Sequence, residues 1–319
     1  MKAVEVYIRA DANRQIGWGH VIRSGALADA LRTRGHRVTW LLKESDGRAE
    51  ENLRRRFRIL RLRRELTQEI PAVLKREAWL VIDRYGWRAA EHRSFRSGGF
   101  KVLAIDDAGP GEFAPDLLLN PNPGAEQIGY RTAPWTRSLL GPRYVLLRRE
   151  FRQAAPRSRP GKNRLLVSFG GGDQWGTAAR VCRLLPQGVE VTVVVGPSGK
   201  SFKGPRIVRG ATAAQMKRLM ERSDAAIVPP SSICWELARV GVPAAILGTA
   251  ENQALVERSL RRRGAAYPLG WQGEVTDGVL RRRLQLFLGD GGGRAKMARR
   301  LQRLVDGNGV DRVIEAMGL

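Results

Sequence analysis

The sequence predicts two consecutive Rossmann-like α/β domains that face each other across a cleft. Three observations carry this. The chain is 319 residues long, and at roughly 100–200 residues per domain that length favours two. Each half opens with an apolar strand, a glycine-containing loop and a helix. Short apolar runs then alternate with helical segments, the pattern of a parallel sheet covered by helices.

In the first half, Val4–Ala10 reads as a strand and Asp11–Gly19 as a polar loop. From His20 to Arg34, the apolar residues Val21, Leu27, Ala28 and Leu31 recur at helical spacing, and Gly35 ends the helix. Arg37–Leu42 is the next strand. Trp79–Asp83, Lys101–Ile105 and Asp116–Asn120 read as further buried strands. The basic stretch 50–76 is expected to form peripheral helices around a strand near Ile59–Leu62.

The segment 151–163 is polar, with two prolines and a glycine, and reads as a linker between domains at 1–150 and 164–319. The last helix is free to pack back on the N-terminal domain. The second half runs strand Leu165–Phe169, loop Gly170-Gly171-Gly172-Asp173, helix Gly176–Leu185 and strand Val189–Val195. Helix Ala213–Ser223, strand Ala225–Val228, helix Ser232–Val240, strand Ala244–Leu247 and helix Asn252–Arg263 follow, and two or three helices finish the chain.

Composition bounds the function. Hydrophobic residues make up 43% and charged residues 27%, which is ordinary for a globular chain. The formal net charge is +25, from 56 basic and 31 acidic residues. Such an excess attracts polyanions and phosphorylated ligands. The Arg and Lys residues are scattered, and no zinc-finger, RNA-binding or basic-zipper pattern accompanies them, so no specific nucleic-acid partner is expected. Cys182 and Cys234 lie in apolar helical contexts and read as two buried thiols in a reducing compartment. The N-terminus lacks the apolar run of a signal peptide, and no stretch reaches about 18 apolar residues. A cytoplasmic protein is expected, with peripheral membrane association through 50–76 left open.

Five places carry candidate chemistry. Gly17-Trp18-Gly19-His20 puts two glycines and a histidine at a helix start. Glycines admit a close ligand and a helix start favours an anion, while His suits acid–base work near neutral pH. His20 reads equally well as a helix-start residue bonded to backbone. His36 and His92 read as surface residues. The Gly170-Gly171-Gly172 loop offers backbone N–H groups to a phosphate, or makes a tight turn. Ser231 or Ser232 can cap the following helix and leave its start open to a diphosphate, and Glu236 can accept ribose hydroxyls or serve the helix dipole. Asn252-Gln253 offers amides suited to a sugar, or a helix cap. Asp83-Arg84-Tyr85 and Asp106-Asp107 end neighbouring strands, where open α/β sheets bind ligands. Two adjacent carboxylates are a weak metal signal, and no metal is expected.

Together these motifs resemble one family. The runs Ile8-Arg9-Ala10-Asp11 and Ile16-Gly17-Trp18-Gly19-His20-Val21-Ile22-Arg23 are similar to the N-terminus of the PseG family, the UDP-2,4-diacetamido-2,4,6-trideoxy-β-L-altropyranose hydrolases of pseudaminic acid synthesis. So are Asp83-Arg84-Tyr85, Asp106-Asp107, Leu139–Tyr144, Val167–Gly171 and Asn252-Gln253. A related branch comprises spore-coat polysaccharide biosynthesis proteins. The resemblance covers nearly the whole chain.

The resemblance implies a glycosyltransferase-B fold like that of MurG, with a UDP-sugar as substrate and no cofactor. It implies His20 as the base that activates water for attack on the anomeric carbon, with UDP expelled and configuration inverted. Tyr85 would line the sugar site, and Asp11, Gly17, Gly19 and Arg23 would belong to the N-terminal part of the site. Glu236 would hold the ribose, Asn252 and Gln253 the sugar, and Gly171, Gly172, Ser231 and Ser232 the diphosphate. One departure stands out: Pro229-Pro230-Ser231-Ser232 replaces the glycine-rich turn of transferase-type relatives, and proline offers no N–H donor. Two other readings are an inverting UDP-sugar glycosyltransferase of the same fold and a non-catalytic polyanion-binding protein.

Overall fold

The computed structural model describes residues 3–13, 18–45, 47–68, 70–107, 109–154, 163–170, 176–196 and 202–319. The chain divides into two compact units, Met1–Arg149 with Asn308–Leu319, and Glu150–Gly307.

The first unit is built on a parallel seven-stranded sheet. Its strands are β1 (Glu5–Arg9), β2 (Arg37–Leu42), β3 (Arg58–Arg61), β4 (Trp79–Ile82), β5 (Lys101–Ile105), β7 (Leu117–Asn120) and β9 (Arg137–Leu140), in the order β3-β2-β1-β4-β5-β7-β9. The short pair β6 (Glu112–Phe113) and β8 (Arg131–Thr132) forms a separate ribbon. The order reverses direction between β1 and β4. There the strand ends splay their loops apart, and doubly wound sheets place their ligands. The register fixes the place: Arg9 pairs with Ile82, and the Asp83 N–H donates to the Arg9 oxygen at 3.0 Å.

Helix α1 (Gly19–Thr33) follows β1 and buries His20, Val21, Ser24, Leu27, Ala28 and Leu31. It ends where Gly35 takes φ +87°, with Gly35 N donating to Arg32 O and His36 N to Leu31 O. That double bond is a Schellman stop, which tucks the residue after the glycine inward. His36 is therefore buried, contrary to the surface position expected for it. His92 is also buried: it lies on α3 (Ala89–Ser97), stacked on Phe113 with ring centroids 5.8 Å apart.

The basic stretch departs from expectation. A helix, α2 (Gly47–Arg54), precedes β3, but among the described residues none follows it before β4. Tertiary contacts override helical propensity there. Leu62, Leu66 and Leu74 are buried beside the sheet, the Tyr7 hydroxyl accepts from Lys75 N at 2.9 Å, and Glu65 is drawn to Arg9.

In the second unit, helix α4 (Arg149–Arg152) leads in, and 155–162 of the expected linker lie outside the described residues. The sheet is parallel, in the order β12-β11-β10-β13-β14-β15. These strands are β10 (Arg164–Val167), β11 (Glu190–Val195), β12 (Arg206–Arg209), β13 (Ala225–Val228), β14 (Ala244–Gly248) and β15 (Tyr267–Trp271). Here the order reverses between β10 and β13, so the chain leaves the sheet at Ser168–Gly170 and at Pro229–Ser232 from neighbouring strands. Helices α5 (Thr177–Leu184), α6 (Ala213–Glu221), α7 (Ile233–Val240), α8 (Ala254–Arg262), α9 (Asp277–Gly289) and α10 (Gly291–Gln302) complete the unit. The last helix, α11 (Gly309–Ala316), belongs to the first unit, where it packs on α1. Cys234 is fully buried, whereas Cys182 is only half-buried, because α5 turns it toward the sheet margin.

Candidate functional site

In the first unit the reversal point gathers a polar cluster. His20 stands in the first turn of α1, and Asp83 directly follows β4. The His20 Nδ1 lies 3.1 Å from the main-chain oxygen of Asp83 and 3.7 Å from its Oδ1. A carbonyl only accepts, so this contact favours the tautomer with the proton on Nδ1, which places the lone pair on Nε2. The ring of Tyr85 meets the imidazole edge-on, with centroids 4.9 Å apart, and Tyr85 is one of the few large hydrophobic side chains left exposed. Trp18, at the start of α1, makes no side-chain cap, and a Cβ on Gly19 would meet nothing within 4 Å.

Arg23 lies on the same face of α1, one turn after His20. It grips Asp83 with two nitrogens, at 2.8 and 2.6 Å, and Asp107 with a third at 2.6 Å. The Ser24 hydroxyl adds a bond to Asp83 at 2.7 Å. Arg23 was expected to touch ligand; three of its five N–H donors are committed to two carboxylates, because the turn that points His20 at β4 points Arg23 between β4 and β5. Burial alone would raise the Asp107 carboxyl. The Arg23 charge, with hydrogen bonds from Arg23 and Tyr85, outweighs it and holds Asp107 below the ordinary carboxylate range.

Asp11 is likewise occupied. Its Oδ2 takes Arg9 Nη1 at 2.5 Å, and its Oδ1 takes Lys43 N and Ser45 Oγ, both at 3.0 Å. Arg9 is fully buried and also pairs with Glu65 at 2.9 Å. Asp11 thus neutralises a buried cation and ties the loop after β1 to the end of β2. Asp106, next to Asp107 in the chain, accepts from Tyr130 at 2.7 Å and from Arg88 at 3.2 Å, a second network. Among the described residues no group of three His, Cys, Asp or Glu side chains could hold a metal ion.

In the second unit, Gly170 adopts φ +76° at the mouth of the glycine-rich loop, while Gly171 and Gly172, like Gly17 in the first unit, lie outside the described residues. Ser231 and Ser232 are half-buried just ahead of α7. Ser232 occupies the N-cap position without a side-chain cap bond, because its backbone is already helical; the capping expected of it is not made. Glu236 is buried in the first turn of α7. Asn252 is exposed within a short turn, Glu251–Gln253, and is not the cap of α8; Gln253 stands there. The Gln253 side chain folds back on Thr249, accepting from its N–H at 2.9 Å and lying 3.1 Å from its hydroxyl. Pro229 lends its oxygen to the Cys234 thiol, and burial pushes that thiol up to about 12.

Ser24 and Glu65 were not singled out from sequence. Ser24 is a small polar residue four positions after His20, on an otherwise apolar face. Glu65 is a lone acid among Arg61, Arg63 and Arg64.

Comparison with known proteins fits this geometry. No protein-family model matches the chain. Over 208 residues it is 26% identical to the UDP-2,4-diacetamido-2,4,6-trideoxy-β-L-altropyranose hydrolase of Campylobacter jejuni, covering 63% of this chain and 72% of that one. Across 99% of both chains it superposes on MurG of Acinetobacter baumannii, with a TM-score of 0.65 and 15% identity. The chain is similar in sequence to that hydrolase and shares the fold of MurG. A spinosyn rhamnosyltransferase solved with spinosyn aglycone shares the fold, with a TM-score of 0.65 and 14% identity over 98% of this chain and 100% of that one. No helix among the described residues is long and apolar enough to cross a membrane.

Proposed function

We propose that the chain is a nucleotide-sugar hydrolase that releases UDP from a UDP-linked acetamido or diacetamido deoxy sugar, in the biosynthesis of a surface polysaccharide or a pseudaminic-acid-like sugar. The observation that carries the reading is the His20–Asp83 contact. It leaves Nε2 as a free base beside an exposed Tyr85, at the sheet position where such folds bind ligand. The likeness to the Campylobacter hydrolase supports the choice of substrate.

In this reading Nε2 takes a proton from water as the water oxygen bonds to the anomeric carbon. The bond from that carbon to the diphosphate oxygen breaks, UDP leaves with the electron pair, and the sugar inverts. Tyr85 lines the sugar. In the second unit Ser231, Ser232 and the glycine-rich loop face the diphosphate, Glu236 holds the ribose, and Asn252 and Gln253 meet the sugar. Gln253 exchanges its bonds to Thr249 to do so. Pro229 and Pro230 contribute no N–H, so the donors to the diphosphate are the Ser231 and Ser232 groups and the start of α7.

The fold neighbours favour one other reading, an inverting glycosyltransferase, since a rhamnosyltransferase shares the fold. One experiment separates them: UDP release from a panel of UDP-amino sugars without acceptor, by wild type and His20→Ala. Release by wild type alone supports the hydrolase. Release only after an acceptor is added supports the transferase.

A further inference from the structure

Arg23 commits three of its five N–H donors to carboxylates. Three of its nitrogens bind carboxylate oxygens at 2.6–2.8 Å. It joins the ends of two neighbouring strands, Asp83 after β4 and Asp107 two residues after β5. Asp83 is fully buried, and its carboxylate is held on one oxygen by Arg23 and on the other by Arg23 and Ser24. The main-chain oxygen of the same residue faces His20 Nδ1. Fixing the Asp83 side chain therefore fixes the acceptor that sets the imidazole. The two residues that hold the Asp83 carboxylate, Arg23 and Ser24, both come from α1, one turn on from the histidine, so helix geometry delivers them together.

We propose that Arg23, with Asp83, Asp107 and Ser24, is a clamp that locks His20 as its Nδ1–H tautomer, making Arg23 and Asp83 positioning residues rather than ligand contacts. An imidazole released from the clamp is free to rotate and to carry its proton on either nitrogen. A ring protonated on Nε2 presents a donor, not a base, to whatever lies beyond it. The clamp thus acts by excluding the unproductive tautomer and orientation. Its consequence for turnover rests on the hydrolase reading above; its consequence for the tautomer does not.

The chain has only three histidines, so the test is direct. The full-length protein is labelled with ¹⁵N-histidine, and long-range ¹H–¹⁵N correlation reads the tautomer of each ring at pH 7.5, with His20→Ala assigning the His20 signals. Wild type is expected to show the Nδ1–H form at His20. Arg23→Gln is expected to lose that preference while His36 and His92 keep their patterns. Removing Arg23 leaves two buried carboxylates facing each other, so a second variant, Arg23→Gln with Asp107→Asn, removes one negative charge with the positive one and keeps the local net charge. Ser24→Ala, a lesser cut, is expected to weaken the preference partially. An Nε2–H form in wild type, or an undiminished Nδ1–H form in both folded Arg23 variants, overturns the clamp. Kinetics on the UDP-sugar that wild type hydrolyses give the second readout. A clamp predicts kcat down by roughly 10–100-fold with KM little changed, whereas a ligand contact at Arg23 predicts a raised KM with kcat retained and overturns the assignment. If wild type hydrolyses no UDP-sugar, the proposed function fails and the tautomer measurement still decides the clamp.

Discussion

The imidazole of His20 is oriented by the main-chain oxygen of Asp83, 3.1 Å from Nδ1, and not by a closer carboxylate. A neutral acceptor fixes the ring without forming a tight ion pair. His20→Asn tests this, because the Asn amide can donate to the same oxygen while offering no base. The variant is expected to keep the wild-type melting temperature and to lose roughly 10²–10⁴ in UDP release. Stopped-turnover assays and a thermal melt on the same preparation check it.

Asp11 is expected to matter first for stability. Asp11→Ala strips a carboxylate from the buried Arg9, which keeps Glu65, so the loss falls toward the lower end of the roughly 3–5 kcal/mol seen when a buried pair is broken. Urea unfolding measures it. Weaker UDP binding with unchanged stability would point back to a ligand role for this carboxylate.

His92 makes the first unit sensitive to acid. Burial pushes its imidazole down from 6.5 to about 4. The folded state thus binds fewer protons than the unfolded state between those values, so stability is full above pH 6.5 and is lost as pH falls toward 4. At about 1.4 kcal/mol per unit the loss approaches roughly 3 kcal/mol. His92→Asn keeps an acceptor for the Ala114 N–H, which now donates to Nδ1 at 3.4 Å. Urea titrations from pH 4 to 7.5 are expected to show a flatter profile for this variant than for wild type.

Two glycines should behave oppositely. A Cβ on Gly309 would collide with the main chain of Val145, so Gly309→Ala is expected to lift α11 from the first unit and lower the melting temperature, by about 2–4 °C per kcal/mol lost. A Cβ on Gly19 meets open space in the first turn of α1, so Gly19→Ala should leave stability unchanged or raise it by about 0.5–1 kcal/mol. A raised KM in that stable variant would show that ligand passes close to the backbone there. An unchanged KM would make Gly19 a plain helix residue.

Much of this was legible in the chain itself. The strand–loop–helix openings, the Gly35 stop and the β-branched run at β11 are local signals, and local signals survive in sequence because they depend on neighbours a few residues apart. His20 was legible for the same reason, as a histidine at a glycine-marked helix start. The short strands β9, β12 and β15 were not, because each sits at or near a sheet margin and carries no long apolar run.

What sequence could not decide was which polar groups spend their hydrogen bonds on one another. Asp11, Arg23 and Gln253 all read as ligand contacts, and each is held by a partner: Arg9, two carboxylates, and Thr249. His36 and His92 read as exposed, yet a Schellman turn buries one and an aromatic stack the other. The sequence by itself determined the main strand–loop–helix units, the two-part plan and the identity of the candidate base. Only the tertiary structure decided the partners around that base, since Asp83 and Asp107 reach α1 from strands that are 60 and 84 residues away from Arg23 in the chain, and such contacts leave no periodic trace.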